Sequence, residues 1–257
     1  MRIEKLVRTG LASLLAGLVV GSTLLAATSP VAAQNPSAQD VVNKYIEATG
    51  GKEALEKVKT LQVRGKMELA SVGLTADLSV LQTQDAFLMT IALPGLGDLV
   101  QARNGEVAWA SRQDGTIAKL EGKEKQQMMQ NARMHEQLSW LDYKGEIIVK
   151  GDADIDGTAA WHLRFEPTDG VAADRYFAKE SGLLLKVSMT AVSELGEIPT
   201  DSYFSDYKEF DGIKMACNMR QVVNVGGVGE MRFIYDDVKV NEEIPEDRFA
   251  PPAGIDE

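Results

Sequence analysis

Only one cysteine, Cys217, and two histidines, His135 and His162, occur in the 257 residues. A lone thiol makes neither an internal disulfide nor a cysteine-based zinc site, and two imidazoles leave little for metal or acid–base chemistry. Positive charge is also scarce. Lys and Arg number 27 against 38 Asp and Glu, a net charge of −11, and no basic stripe exists to follow a phosphate backbone, so nucleic acid is excluded as a partner. Linker-like stretches are missing too, since Pro, Gly and Ser are scattered as single turn signals. What is present, 44% hydrophobic and 25% charged residues, is the composition of an ordinary globular chain, neither disordered nor multi-spanning.

The first residues form a segment of their own. Arg2, Lys5 and Arg8 make a basic start, Leu11 to Ala27 is almost continuously apolar or small, and Val31-Ala32-Ala33 offers small residues for cleavage. Residues 1–33 are therefore expected to be a cleaved export signal, with a retained anchor as the alternative. No cysteine follows the apolar run, which excludes a lipid-anchored mature N-terminus. Removing Met1 to Ala33 changes 27 basic and 38 acidic residues to 24 and 37, a net of −13. Residues 34–257 are expected to form one domain with a single substantial core. The leader Gln34 to Ser37 and the tail Pro251 to Glu257 have little to bury.

Ser37 stands three residues before Asp40 as in a capping box, and Val41, Val42, Tyr45 and Ile46 repeat at helical spacing until Gly50-Gly51. A short second helix is expected over Lys52 to Val58. From Leu61 the period changes to two: Leu61, Val63, Met67 and Leu69 alternate, as do Leu74 to Val80 and Phe87 to Leu93. Asn104-Gly105, Asp114-Gly115, Asp156-Gly157 and Asp211-Gly212 mark tight hairpins. The pattern predicts an α+β fold with ten or eleven sequential antiparallel strands. One helix interrupts it, Lys123 to Asp142, with Met128, Met129, Ala132, Leu138 and Leu141 at helical spacing. So many strands roll up, and the one-sided helices are expected to cover the concave face of an incompletely closed barrel.

Several phrases of the chain resemble one family. The run Tyr45-Ile46-Glu47-Ala48-Thr49-Gly50-Gly51-Lys52-Glu53-Ala54-Leu55 precedes a strand that begins Val63-Arg64-Gly65-Lys66-Met67. Tyr176 to Leu184, Tyr203 to Lys214 and Val240 to Pro252 follow in order. Together they are similar to the LolA/LolB-like superfamily of periplasmic lipoprotein carriers. The resemblance spans nearly all of residues 34–257 but rests on turn phrasing, without a catalytic signature. It implies a half-barrel whose hollow holds acyl chains under a helical lid, and a periplasmic protein that moves lipid or lipoprotein without catalysis, between membrane-bound donor and acceptor. It also implies an arginine that locks the cavity, for which Arg64, Arg103 and Arg164 all fit by alternation.

Nine methionines lie beyond the signal segment, and adaptable thioether side chains suit a pocket for a flexible ligand as well as an ordinary core. The candidate ligand-binding set is Met67, Leu69, Leu78, Val80, Phe87, Met89, Ile91, Trp109, Met128, Met129, Ala132, Leu138, Trp140, Leu163, Phe165 and Met189, with Trp140 expected at the cavity lip.

Enzyme signatures are absent. No Gly-x-Ser-x-Gly elbow occurs, His135 has no partner four residues away, and His162 alternates out of the apolar face of its strand. Cys217 reads as a buried, inert thiol. Asp152, Asp154 and Asp156 lack the twelfth-position Glu of a calcium loop and read as an acidic turn, and Gly50-Gly51 reads as a helix stop. Gly226-Gly227-Val228-Gly229 reads as a flexible hairpin tip. The expectation is a monomeric, cofactor-free, metal-free and non-catalytic carrier. A structural or signalling module of the same fold, with a filled core and a protein partner, is the alternative. A hydrolase or isomerase using a carboxylate pair is a third class that 37 acidic residues leave open.

Overall fold

The computed structural model describes residues 35–95, 97–112, 114–193, 196–223, 229–253 and 255. The expected signal segment 1–33 and the glycine tip 226–228 lie outside them. The chain starts with α1 (Ala38–Ala48), whose capping box is formed as read, with the Ser37 hydroxyl accepting from the Asp40 amide and the Asp40 carboxylate accepting from the Ser37 amide. Gly50 and Gly51, both at positive φ, end it before α2 (Lys52–Lys57).

Thirteen strands follow, more than the ten or eleven expected: β1 (Thr60–Leu69), β2 (Leu74–Thr83), β3 (Ala86–Leu93), β4 (Gly97–Asn104), β5 (Val107–Ser111), β6 (Ile117–Lys119), β7 (Gly145–Ile155), β8 (Thr158–Pro167), β9 (Ala173–Ala178), β10 (Leu184–Ser193), β11 (Gly196–Phe210), β12 (Ile213–Val223) and β13 (Gly229–Val240). The short segments around Val107 to Trp109 and Ile117 to Leu120, read as strands from the sequence, are β5 and β6. All belong to one antiparallel sheet in the order β6-β5-β4-β3-β2-β1-β13-β12-β11-β10-β9-β8-β7, two meanders joined where β1 pairs with β13. Asp156-Gly157 and Asp211-Gly212 have the paired positive φ values of the tight hairpin turns read from sequence. Since β6 and β7 do not pair, the sheet is open.

Between β6 and β7 the chain forms α3 (Gly122–Asn131) and α4 (Glu136–Ser139), not the single helix expected. The helix breaks at residues 132–135, where tertiary partners take the Ala132 carbonyl and the His135 side chain. The Gln82 amide donates to the Ala132 carbonyl at 3.1 Å, and His135 turns into the left-handed region at φ 54 with Nε2 3.2 Å from the Val58 carbonyl.

α3 contacts β4 and β5 on one side and β10 on the other. β5 and β10 stand eight places apart in the sheet, about 38 Å if it were flat, whereas a ten-residue helix is about 15 Å long. The sheet must therefore curve around α3, as an open barrel does. The tail from Pro251 does bury Ile255, contrary to expectation, and Phe249 just before it is buried as well. Phe249 packs with Leu81 and Ala86, and Ile255 with Ala102 and Trp109, on the sheet face opposite α3.

Where β1 crosses the centre, Gly65 sits at a bulge against β13, and a Cβ there would overlap the Ile234 carbonyl oxygen. Gly65→Ala is expected to cost about 2–3 kcal/mol in urea unfolding, because backbone must shift. An unchanged midpoint would show that the two meanders are not held this closely.

Candidate functional site

Alternation and register decide which side chains share the inner face. Val63, Val80 and Met89 form one cross-strand row, Gly65, Leu78 and Ile91 the next, and Phe233, Met67 and Ala76 a third. Met219 joins from β12 opposite Phe233, and Met231 lies opposite Leu69. Met67, Ala76, Leu78, Ile91 and Phe233 are buried, and Leu69, Leu74, Val80, Met89, Leu93, Met219, Met231 and Tyr235 are partly buried against them. No residue of α1 to α4 is among the hydrophobic side chains of this group, which is built from the sheet. Its inner positions on β1, β2, β3 and on β13 from Met231 to Tyr235 carry no Asp, Glu, Lys, Arg or His, whereas Arg64, Lys66, Glu68, Asp77 and Arg232 alternate onto the outer face. Burial pushes the Tyr235 hydroxyl up to about 12, so this face stays uncharged at neutral pH.

The candidate set splits into separate places. Met67, Leu69, Leu78, Val80, Met89 and Ile91 come together as described. Phe87, Met128, Met129 and Ala132 pack with Ala108 and Leu120, where α3 docks on β3 and β5. Leu138, Trp140, Leu163 and Phe165 belong to the largest cluster, with Val41, Val42 and Ile46 of α1, Leu55 of α2 and Phe177. Met189, half-buried on β10, lies opposite Ala173 and Thr200. Trp109 does not belong with the others. It is 2% exposed on the outer face under Ile255, because its register partner is Ala102 and not an inner residue. Trp140 is 3% exposed and packed against Tyr45, Phe165 and Phe177, and stands apart from the methionine group, in the wall of a separate cleft. Met219, Met231 and Phe233 were missed, although their alternation with Arg220 and Arg232 was a readable signal.

Of the three arginines that fitted the lock, Arg64 and Arg164 alternate to the outer face, and Arg103 donates to the Gln84 carbonyl at 2.6 Å. The buried arginine that reaches α4 is Arg175 on β9. It is 5% exposed, its guanidinium lies 4.4 Å from the Phe165 ring centre and 4.9 Å from that of Trp140, and it meets Glu136 of α4 at 2.6 Å. α4 is thus tied to the second meander by charge and ring contacts together. Beside it opens a cleft of about 1050 Å³, with Met129, Leu138, Trp140 and Tyr143 in its wall and Lys125, Arg133, Lys144, Asp142 and Asp169 around it. Mixed charge distinguishes this cleft from the methionine face.

Chemistry is poorly served elsewhere. His162 shares a hydrogen bond with Asp174 at 2.7 Å and stacks on Tyr176, and against the upward pull of burial the hydrogen bonds of His162 and Arg164 hold the Asp174 carboxyl low. Cys217 is buried, and burial pushes its thiol up, away from thiolate. Asp154 accepts from the Gly157 amide inside the β7–β8 turn, and Asp152 pairs with Lys179. No described helix is long and apolar enough to cross a membrane.

Solved structures share this architecture. A DUF1329 family protein from Desulfovibrio piger superposes with a TM-score of 0.57 at 12% identity, covering 82% of this chain and 96% of its own. A LolA superfamily protein from Nitrosomonas europaea gives 0.57 at 13%, covering 84% and 99%. The fold is LolA-like. An outer membrane lipoprotein-sorting protein domain from Vibrio parahaemolyticus gives 0.52 at 14%, covering 82% and 94%. No family model matches the chain, and no curated protein matches it by sequence. At such identities the likeness concerns the LolA-like fold alone.

Burial lowers His135 below its ordinary 6.5, opposed by the Val58 contact and reinforced by Lys59. The unfolded chain therefore takes up the proton first, so stability is full above about pH 7 and falls as pH drops towards about 5. Melting temperatures across that range should fall for the native chain and fall less for His135→Gln, and parallel profiles would exclude this histidine as the cause. Glu136→Ala should lower stability by about 2–3 kcal/mol in denaturant titration, since it leaves the Arg175 charge buried without its carboxylate.

Proposed function

We propose that this protein is an exported, non-catalytic carrier that holds an acyl chain of a lipid or lipoprotein against the methionine-rich inner face. The observation that carries the reading is the uncharged group around Met67, Met89, Met219, Met231 and Phe233, built from sheet residues, with Met89, Met219 and Met231 only partly buried. An uncharged, methionine-rich sheet face that is incompletely buried fits a ligand-binding role. Each methylene transferred onto it contributes about 0.8 kcal/mol, and flexible thioethers adapt to chains of different length. Supporting it, the neighbours from Nitrosomonas europaea and Vibrio parahaemolyticus carry LolA superfamily and lipoprotein-sorting names. The basic and apolar start of the chain supports export to the periplasm of residues 34–257 as one monomeric domain. α4, tied by Arg175 and Glu136, closes the neighbouring cluster and not this face, so exchange with a membrane-bound donor or acceptor takes place without the helical lid expected from the sequence.

The test is binding of a fluorescent fatty acid to the protein purified without detergent, with native mass spectrometry of what co-purifies. Met89→Glu with Met219→Glu should weaken uptake by roughly a hundredfold, since each buried thioether is worth about 1.5 kcal/mol or more. Uptake equal to the native chain would overturn the reading, and a partner-binding module with a filled core would take its place.

A further inference from the structure

The outer face of the second meander carries a cleft of its own. Register places Tyr203 of β11, Arg220 of β12 and Arg232 of β13 side by side in one cross-strand row on that face, and Ser205 and Asn218 stand opposite each other in the row beside it. Two guanidinium groups directly opposite on neighbouring strands repel each other unless an anion lies between them. The carboxylates at hand hold them loosely. Glu230 reaches Arg220 at 3.4 Å and Arg232 at 3.5 Å, Glu68 stands opposite Arg232 on β1, and Asp156 meets Arg220 at 3.6 Å with its side chain 78% exposed. Asp156 belongs to the turn between β7 and β8, and β8 lies four places from β12, about 19 Å in a flat sheet. The turn therefore leans over the outer face and closes a cleft of about 370 Å³, with Thr158, Tyr203, Ser205, Asn218, Arg220 and Arg232 in its wall.

We propose that this cleft binds a phosphate ester of a small polar alcohol, whose phosphate oxygens bridge Arg220 and Arg232 in place of Asp156. A tetrahedral phosphate presents oxygens in several directions and so reaches guanidinium groups on two strands, whereas the coplanar oxygens of a carboxylate are matched by one. Each guanidinium has five donors, and among the described residues each donates one long hydrogen bond, both to Glu230. Tyr203, with its ring centre 4.0 Å from the Arg220 guanidinium, holds that side chain in place. The Ser205 hydroxyl and the Asn218 amide have no hydrogen-bond partner among the described residues and are left for the alcohol. The volume stands at the lower end of small-ligand sites, which suits a ligand of this size. Displacing Asp156 costs little, because so exposed an ion pair contributes little. The methionines line the opposite face, so the proposal stands independently of the carrier reading.

The experiment is isothermal titration of the protein, as purified after export, with inorganic phosphate and with glycerol 3-phosphate at neutral pH and low ionic strength. Both should bind, the ester more tightly. Arg220→Gln and Arg232→Gln should each weaken binding about tenfold or more, the loss of charge-assisted hydrogen bonds. Asp156→Asn should tighten it severalfold, because a competing carboxylate is gone. That variant keeps the test decisive if an arginine variant does not fold, since Asp156 is exposed and its φ of 50 suits Asn equally. Vesicles of phosphatidylglycerol in place of the soluble ester separate the two sources of the group. Binding to them that Arg220→Gln abolishes identifies a lipid head group, and binding of the soluble ester alone identifies a free phosphate ester. No heat with either soluble anion, equal binding by the native chain and both arginine variants, or weaker binding by Asp156→Asn would overturn the proposal. Binding that persists in a protein taking up no fatty acid would leave the cleft standing and remove the carrier reading.

Discussion

The structure depends on one short helical segment held from both sides. α3 meets β4, β5 and β10, strands far apart in sheet order, and its flanks are tied to each half: Arg112 to Glu124 at 3.1 Å and Gln82 to the Ala132 carbonyl on the first meander, Lys123 to Glu197 and Arg175 to Glu136 on the second. The exposed pair Lys123–Glu197 adds little. The half-buried Arg112–Glu124 pair contributes more, and so does Arg175, closed over by Phe165 and Trp140, where removing Glu136 leaves a charge in an apolar surround. Rolling thirteen strands around this segment is what gives the sheet an inside.

Coverage of that inside is uneven. The inner face near α1 and α2 is filled by Val42, Ile46, Leu55 and an aromatic group of Tyr45, Trp140, Phe165 and Phe177, where ring centres lie 5.0 to 6.1 Å apart. The group around Met67 and Phe233 is built from sheet residues alone. The outer face of β2 to β5 is sealed by Phe249 and Ile255 from the tail. Large aromatics and a buried ion pair thus hold one end rigid, while methionines line the part left open. That division matches a surface that must accept chains of varied shape without losing the fold.

Much of this was legible because strand period is a local property. Alternation from Leu61 to Leu93 put Met67, Leu78, Val80, Met89 and Ile91 on one face, and Asp-Gly turns fixed the hairpins. What failed was set by distant partners. The helix over Lys123 to Asp142 breaks where Gln82 takes the Ala132 carbonyl and the Val58 carbonyl meets the His135 ring, contacts between residues 50 and 77 positions apart. Trp109 moved to the outer face because strand pairing with Ala102, and not its own neighbours, sets its side. The tail looked idle since Ile255 carries no periodic signal, and Arg175 was passed over because its burial comes from Trp140 and Phe165 and its partner from α4.

The most direct measurement is photocrosslinking with a diazirine-bearing fatty acid, followed by mapping of the labelled peptides. Labels concentrated on Met67, Met89, Met219, Met231 and their strand neighbours are the predicted result, with few on the cleft beside α4. Labels confined to that cleft, around Tyr143 and Lys144, or none at any concentration, would contradict the claim that the methionine face holds the chain.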